Sequence, residues 1–427
     1  MVDLSKSDFL KLRPPSLRYH NYRLKSAGTT KPRYASPPQS IAPWEGFKAG
    51  VNGTIWDGTP KYSQPMFQDR GLCFKEESIR HKLYGNVLLP FNNLLASDEA
   101  GEVFDYPTEG TFGEPDFIQH LNGELRLAIE VKTKWALAAS DLVKAYTQNL
   151  IDIHEGKTKL SEPAVYHHVC QIFGYLSHNE LRYGVLTTYD KTWFLYRENC
   201  CLYISPPIQH DDLQPTLFQC LFYLISLARD NHRCSAAPSS NPSNGEEECT
   251  PLEFFDWGSF STVSVLGEGR TGTVFKAILH GEMVALKICD LWKHPDYEEE
   301  LLNEVEVYHA LKDLQGNCIP RFKGAGYTAG GLFAIATEIV GSPLEDVSSL
   351  SGEEHLVIQT ALSSIHDHGF VHNDIRKGNI LIKRNGSQFS AFFIDFAFSK
   401  PGDQHNFQNE MELLEALSDS LSEGSDD

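Results

Sequence analysis

The sequence predicts two folded domains in tandem, an α/β domain followed by an α+β domain. Three observations predict this. The stretch SAAPSSNPSNGEEE, residues 235–248, has no large apolar side chain and the Pro, Ser, Asn and Gly content of a linker. Before it, strand-like hairpins flank a helical pattern over 161–179. After it, glycines alternating with β-formers over 263–289 come first and a helical pattern over 297–314 follows. A chain of 427 residues is long enough for two or three such cores. The boundaries expected are a basic flexible arm at 1–50, a first domain at 51–233, a linker at 234–252, a second domain at 253–422 and an acidic tail at 423–427.

Charge and composition narrow the function classes. The formal net charge is −20, yet residues 1–50 carry nine Lys and Arg against three acids. From residue 401 onward there are eight acids and no Lys or Arg. Bulk charge therefore excludes general nucleic-acid binding, and any such contact needs a local groove or the basic arm. The longest apolar run, LFQCLFYLISLA at 217–228, is too short for a bilayer and reads as a core helix, so no membrane partner is expected. The N-terminus has no apolar stretch of signal-peptide length. Nine cysteines, with no CxxC pair and no zinc spacing, point to reduced thiols in the cytoplasm or nucleus.

In the first domain, KEESIRHKLYGNVLLPFNNLL reads as a helix. GEPDFIQHLNGELRLAIEVKTKW, 113–135, then carries a hairpin signal at Asn122–Gly123. Its second strand alternates, with Leu125, Leu127, Ile129 and Val131 on one face and Arg126, Ala128, Glu130 and Lys132 on the other. Asp116 lies on the first strand. A strict two-residue loop sets it opposite Ile129, whereas a three-residue loop or an equivalent bulge sets it opposite Glu130. The second register is the one expected. Two carboxylates and a lysine on one sheet edge can hold a divalent cation beside a phosphodiester. Next come a helix over 161–179, with Val165, Val169, Ile172 and Leu176 inward, and a hairpin over 182–198.

Pro115-Asp116 followed by Glu130-Val-Lys132 resembles the PD-(D/E)xK nuclease family. Gln171 and Tyr175, four apart on the following helix, match the Q-x-x-x-Y of its RecB-like branch. The resemblance implies metal ligands Asp116 and Glu130, with Lys132, Gln171 and Tyr175 completing a nuclease site, Glu77 as a further carboxylate, and nucleic acid as a possible partner.

The second domain opens with Gly267, Gly269 and Gly272, a G-x-G-x-x-G followed by Val274, whose side-chain-free positions let backbone N–H groups approach phosphate oxygens. His280–Gly281 turns that strand into the next, which carries Val284-Ala-Leu-Lys287. A lysine in so apolar a strand needs an anionic partner. Glu304 can supply it from the helix over 297–314, beside Leu301 and Tyr308. HNDIRKGNILI, 372–382, spaces Asp374 five residues before Asn379. Two strands around Asn385–Gly386 then deliver Asp395.

These motifs, in this order, resemble the eukaryotic protein kinases over residues 253 to about 400. The resemblance implies a bilobal α+β fold, ATP and Mg2+ as cofactors and a Ser/Thr protein as substrate. It implies Asp374 as catalytic base, Lys287 as phosphate anchor held by Glu304, and Asn379 and Asp395 as metal ligands. Gly267, Gly269, Gly272, Val274 and Ala285 would surround the nucleotide, with Thr337 behind it and the backbone of Glu338 and Ile339 facing adenine. Three departures stand out. Asn373 takes the place of the HRD arginine, Asp395-Phe-Ala397 replaces DFG, and only 32 residues follow Asp395, with a helix expected at 410–421 presenting Leu413, Leu417 and Leu421. This is similar to minimal kinases without a phosphorylation switch. A nuclease-like module fused to a short kinase resembles fungal kinase-like proteins and Crinkler-type effectors. The expected function is a minimal Ser/Thr protein kinase. The alternatives are a metal-dependent endonuclease regulated by a kinase-like domain and a nucleotide-binding pseudokinase adaptor.

Overall fold

The computed structural model describes residues 3–21, 37–56, 62–68, 70–108, 110–157, 159–235, 260–328, 331–344, 350–386 and 388–419. The chain forms two units, one of residues 1–244 with 329–331, the other of 245–328 with 332–427. Most of the linker stretch and the acidic tail lie outside the described residues.

The first unit is built on a mixed sheet. Its strands run, in spatial order, Ser40–Pro43, Cys201–Ile204, Lys191–Glu198, Tyr183–Thr187, Glu124–Val131, Phe117–Leu121 and Glu102–Asp105, with Ile208–Gln209 also on Lys191–Glu198. Glu124–Val131 and Tyr183–Thr187 pair in parallel, across the helices Leu142–His154 and Pro163–His178. One sheet face, with Leu127, Ile129 and Val131, packs on the helices Glu76–Leu83, Leu89–Asp98 and Leu217–Asn231. Against the other face lies Pro163–His178, whose Leu176 side chain would stand 2.8 Å from a Cβ at Gly184. Residues inward on both faces explain the unbroken burial from Leu127 to Val131.

The flexible arm expected at 1–50 is corrected by this unit. Phe9 and Leu10, on the helix Lys6–Leu10, are buried in its core together with Phe47. Ser40–Pro43 is an edge strand parallel to Cys201–Ile204. The lysines and arginines dominated the sequence signal there, whereas these few apolar residues decide the packing. Arg197 closes the unit. Its buried guanidinium donates to the carbonyls of Leu181, Asn199, Cys234 and Ser235 at 2.6–2.9 Å, so Cys234 and Ser235 belong to the fold and not to the linker. All eight described cysteines are free. No helix among the described residues is long and apolar enough to cross a membrane.

The second unit has an antiparallel sheet in the order Phe260–Gly269, Gly272–Leu279, Glu282–Asp290, Leu332–Glu338 and Phe322–Thr328. His280 and Gly281, both at positive φ, make the two-residue turn between Leu279 and Glu282. The expected helix over 297–314 is shorter, Glu298–Ala310, with single 3-10 turns on either side. The helical lobe holds Gly352–Asp367, capped by the reciprocal Ser351–Glu354 box, and Gln404–Asp419. Between them lie the paired strands Ile380–Asn385 and Gln388–Phe393. Asn385 pairs with Gln388, one position beyond the Asn385–Gly386 turn expected. On the last helix the apolar face is also shifted. Leu414 is buried while Leu413 is 57% exposed, because the helix begins at Gln404 and turns Glu410 and Leu414 inward.

Candidate functional site

Two side-chain constellations emerge, one in each unit. In the second unit, Gly272 sits at φ +138°, and a Cβ there would meet the Ile288 carbonyl at 2.1 Å, so only glycine fits. A Cβ at Gly267 would meet nothing, which leaves the backbone approachable there. Val274 is the cross-strand partner of Lys287, and Ala285 lies two residues along, so the three share one sheet face. Thr337 pairs with Ala285, at the strand end that carries Glu338. Ile339 follows in the connection to the helical lobe.

Lys287 Nζ donates to Glu304 Oε2 at 2.8 Å and to Asp395 Oδ1 at 2.9 Å. Burial works against its charge, but the two carboxylates outweigh it and hold the lysine above its ordinary range. Burial likewise pushes against Asp395, and Lys287 outweighs it, keeping that carboxyl below its usual value. Asp395 itself adopts a left-handed conformation, φ 66° and ψ 68°. In the HNDIRKGNILI stretch, Asn379 Nδ2 donates to Asp374 Oδ2 at 2.7 Å and to its carbonyl at 3.0 Å. That leaves the amide oxygen of Asn379 as its donor atom towards a cation. His372 is buried and neutral, pushed down by desolvation, with Nε2 donating to the Ile394 carbonyl at 2.9 Å and Nδ1 accepting from the Asp374 amide at 3.3 Å. The predicted residues Lys287, Glu304, Asp374, Asn379 and Asp395 thus meet through a continuous set of hydrogen bonds, completed by Arg376.

Arg376 is one of two residues that sequence reasoning missed. Its Nε donates to Asp374 Oδ2 at 3.0 Å and its guanidinium reaches Asp395 Oδ2 at 3.4 Å. A cation two residues from Asp374, followed at once by Lys377, was the available signal. The other is Glu410, on the last helix, which accepts from the backbone N–H groups of His372 and Asn373 and from His366 Nε2. Nothing in the pattern of that helix distinguishes Glu410 from its neighbouring acids.

In the first unit, the hairpin turn has two residues, Asn122 and Gly123, since Leu121 pairs with Glu124. A bulge at Arg126 then shifts the register, so Phe117 faces Ile129 as the last pair of the ladder, with Asp116 just before Phe117 and Glu130 just after Ile129. The expected register is present, through a bulge and not through a longer loop. Asp116 Oδ2 accepts from the Val131 amide at 2.7 Å, and Asp116 Oδ1 lies 3.2 Å from Arg80. Lys132 Nζ donates to Glu130 Oε1 at 2.6 Å and approaches Glu76 at 3.7 Å. Glu77, expected as the further carboxylate, instead pairs with Lys75 and is largely exposed; its neighbour Glu76 faces the site. Gln171 Nε2 donates to the Tyr175 hydroxyl at 2.9 Å, both buried. No group of three His, Cys, Asp or Glu able to hold a metal occurs among the described residues.

Residues 260–413 match the family model described as protein kinase domain. The chain is 31% identical over 168 residues to the probable serine/threonine-protein kinase fnkE of Dictyostelium discoideum, covering 34% of this chain and 12% of that protein. It is 30% identical over 163 residues to the serine/threonine-protein kinase dkf-2 of Caenorhabditis briggsae, covering 35% and 13%. Mitogen-activated protein kinase kinase kinase 1 of Arabidopsis thaliana is 28% identical over 181 residues, covering 39% and 29%. The chain therefore spans less than a third of the length of these relatives. The second unit is a protein-kinase-like domain.

Proposed function

We propose that the second unit transfers the γ-phosphoryl group of ATP to a Ser or Thr hydroxyl of a protein. The observation that carries this reading is Lys287 shared between Glu304 and Asp395, with Asp374 and Asn379 hydrogen-bonded beside them. The donor set fits a divalent cation, since Mg2+ takes one or two protein carboxylates and completes its shell with phosphate oxygens and water. Asp395 and the Asn379 oxygen would hold it, and Mg2+ when bound supplies charge neutralisation at the phosphates. Lys287 holds the α- and β-phosphates. Asp374 orients the acceptor hydroxyl and takes its proton as the new O–P bond forms and the bond from the γ-phosphorus to the β–γ bridging oxygen breaks. Arg376, already between Asp374 and Asp395, is placed to neutralise charge on the transferred group. The test is γ-labelled ATP with the purified chain, Mg2+ and a generic acceptor protein, beside Asp374→Asn. Label on neither chain nor acceptor would overturn phosphotransfer and favour a nucleotide-binding adaptor.

The Asn373 side chain donates to the Phe398 carbonyl at 3.0 Å, and Ser399, 2% exposed, donates its hydroxyl to the His372 carbonyl. With no arginine at position 373 and the nearest serine buried, activity is expected to be independent of phosphorylation after Ala397. Phosphatase treatment should leave the rate unchanged. Loss of activity, restored when Ser399 is rephosphorylated, would refute this.

A second reading belongs to the first unit: a metal-dependent phosphodiester hydrolase acting on DNA, which would make the pairing of units Crinkler-like. Support comes from the register that pairs Phe117 with Ile129, the neighbours of Asp116 and Glu130 in their strands. Against it stand the ion pairs these carboxylates already make with Arg80 and Lys132, which a cation must displace. The expected outcome is Mn2+ binding by calorimetry that weakens in Asp116→Ala and DNA cleavage that vanishes in Lys132→Ala. Absence of Mn2+ binding to the native chain would leave a binding module.

A further inference from the structure

The segment that follows Asp395 is held in a way that neither the motifs nor the proposed chemistry require. Asn303 Nδ2 lies 3.3 Å from the carbonyl oxygen of Phe396, 3.1 Å from that of Ala397 and 2.9 Å from that of Ser399. The carbonyl between them, that of Phe398, accepts from Asn373 Nδ2 at 3.0 Å. Four consecutive carbonyls are thus gathered by two asparagine amides. All the partners are acceptors, so the nitrogen of each amide must face them.

Asn303 is adjacent to Glu304 on the helix Glu298–Ala310. One turn of that helix therefore fixes Lys287 through Glu304 and the backbone beyond Asp395 through Asn303. The same helix supplies Tyr308, whose ring meets Phe396 edge-on at 5.2 Å, and Phe396 also packs on His372 at 5.0 Å. Asp395 lies immediately upstream in a left-handed conformation that a non-glycine residue keeps only when its surroundings impose it.

We infer that Asn303 and Asn373 are positioning residues that lock the 396–399 backbone, and through it Asp395, in the metal-binding arrangement without any modification of the chain. The lock does by neutral hydrogen bonds what a phosphorylated segment paired with an arginine does by charge. It acts through Asp395 and not on the nucleotide, so its effect is confined to the metal-dependent part of nucleotide binding. This rests on the phosphotransfer reading only in the role given to Asp395.

The experiment compares the native full-length chain with Asn303→Asp, Asn303→Ala and Asn373→Ala. Asn303→Asp keeps shape and removes the donor, so it separates hydrogen bonding from packing. Binding of a non-hydrolysable ATP analogue is titrated against Mg2+ and repeated in EDTA. Each substitution should raise the Mg2+ needed for half-maximal enhancement, by about tenfold for Asn303→Asp, as expected for the loss of one such bonded group. Affinity in EDTA should stay unchanged, because Lys287 and Glu304 are untouched. Chymotryptic cleavage after Phe396 and Phe398 in the nucleotide-free chain should accelerate in all three variants. Native Mg2+ dependence together with native cleavage in Asn303→Asp would overturn the inference. Should that variant fail to fold, Asn373→Ala, at an exposed side chain, decides by the same two measurements. If the native chain binds no nucleotide even with Mg2+, the phosphotransfer reading fails, and cleavage alone decides whether the lock exists.

Discussion

Lys287→Met is expected to lower phosphotransfer by about a hundredfold or more, and Asp395→Asn by a similar factor. The reason is electrostatic. Phosphoryl transfer leaves little covalent work to the protein, so the rate depends on charges already in place around the phosphates. Lys287 is held above its ordinary pKa by Glu304 and Asp395 against the cost of burial, so its ammonium persists across the physiological range. Methionine retains the volume of the side chain and discards that charge. It also leaves Glu304, 4% exposed, without its cation, so some loss of thermal stability should accompany the loss of rate. The measurement is initial rate with γ-labelled ATP at saturating Mg2+. Phosphotransfer that survived either substitution would remove the basis for a kinase reading.

The parts of this architecture legible in the sequence are those whose signal is local. Turn chemistry at Asn122–Gly123 and His280–Gly281 marks a backbone that must reach positive φ, and both turns occur at those residues. The Lys287–Glu304 pair followed from helical periodicity and from the cost of leaving a lysine alone in an apolar strand. The bulge at Arg126 was legible only as a requirement, because a register that brings Asp116 to Glu130 needs one extra residue somewhere in the hairpin. Long-range placement was not legible. Phe9, Leu10 and Phe47 join a core assembled from residues far along the chain, and their basic neighbours made the segment read as an unordered arm. Arg376 meets Asp374 locally but reaches Asp395 only through the tertiary fold, and Glu410 matters entirely through partners the fold brings close. Glu410 is the clearer case, being one acid among several on an acidic helix, distinguished by the two amides it meets.

Those two amides support the second large effect. Glu410→Ala is expected to destabilise the second unit by on the order of 3 kcal/mol and to lower phosphotransfer roughly tenfold or more, since small displacements of a catalytic group are costly. The carboxylate accepts from the N–H groups of His372 and Asn373, the two residues before Asp374, and from His366, whose ring stacks on Phe407 of the same helix. Alanine strands two backbone donors in a region where His372 is fully buried. Asn373 sits at φ 62°, so the backbone most in need of support is the one that loses it. Burial alone would raise the Glu410 pKa, but the His366 hydrogen bond and the two amides outweigh it and hold the carboxyl below the ordinary range. Its contribution is therefore complete above the ordinary carboxylate pKa and is lost as pH falls through the lowered folded value. Glu410→Gln keeps one acceptor and cannot titrate, so it should lie between native and alanine in stability at neutral pH and lose this part of the acid dependence. Thermal unfolding from neutral pH down into the acid range, with rates at neutral pH, measures both effects. An alanine variant as stable and as active as the native chain would mean that the backbone before Asp374 is held in place by other contacts.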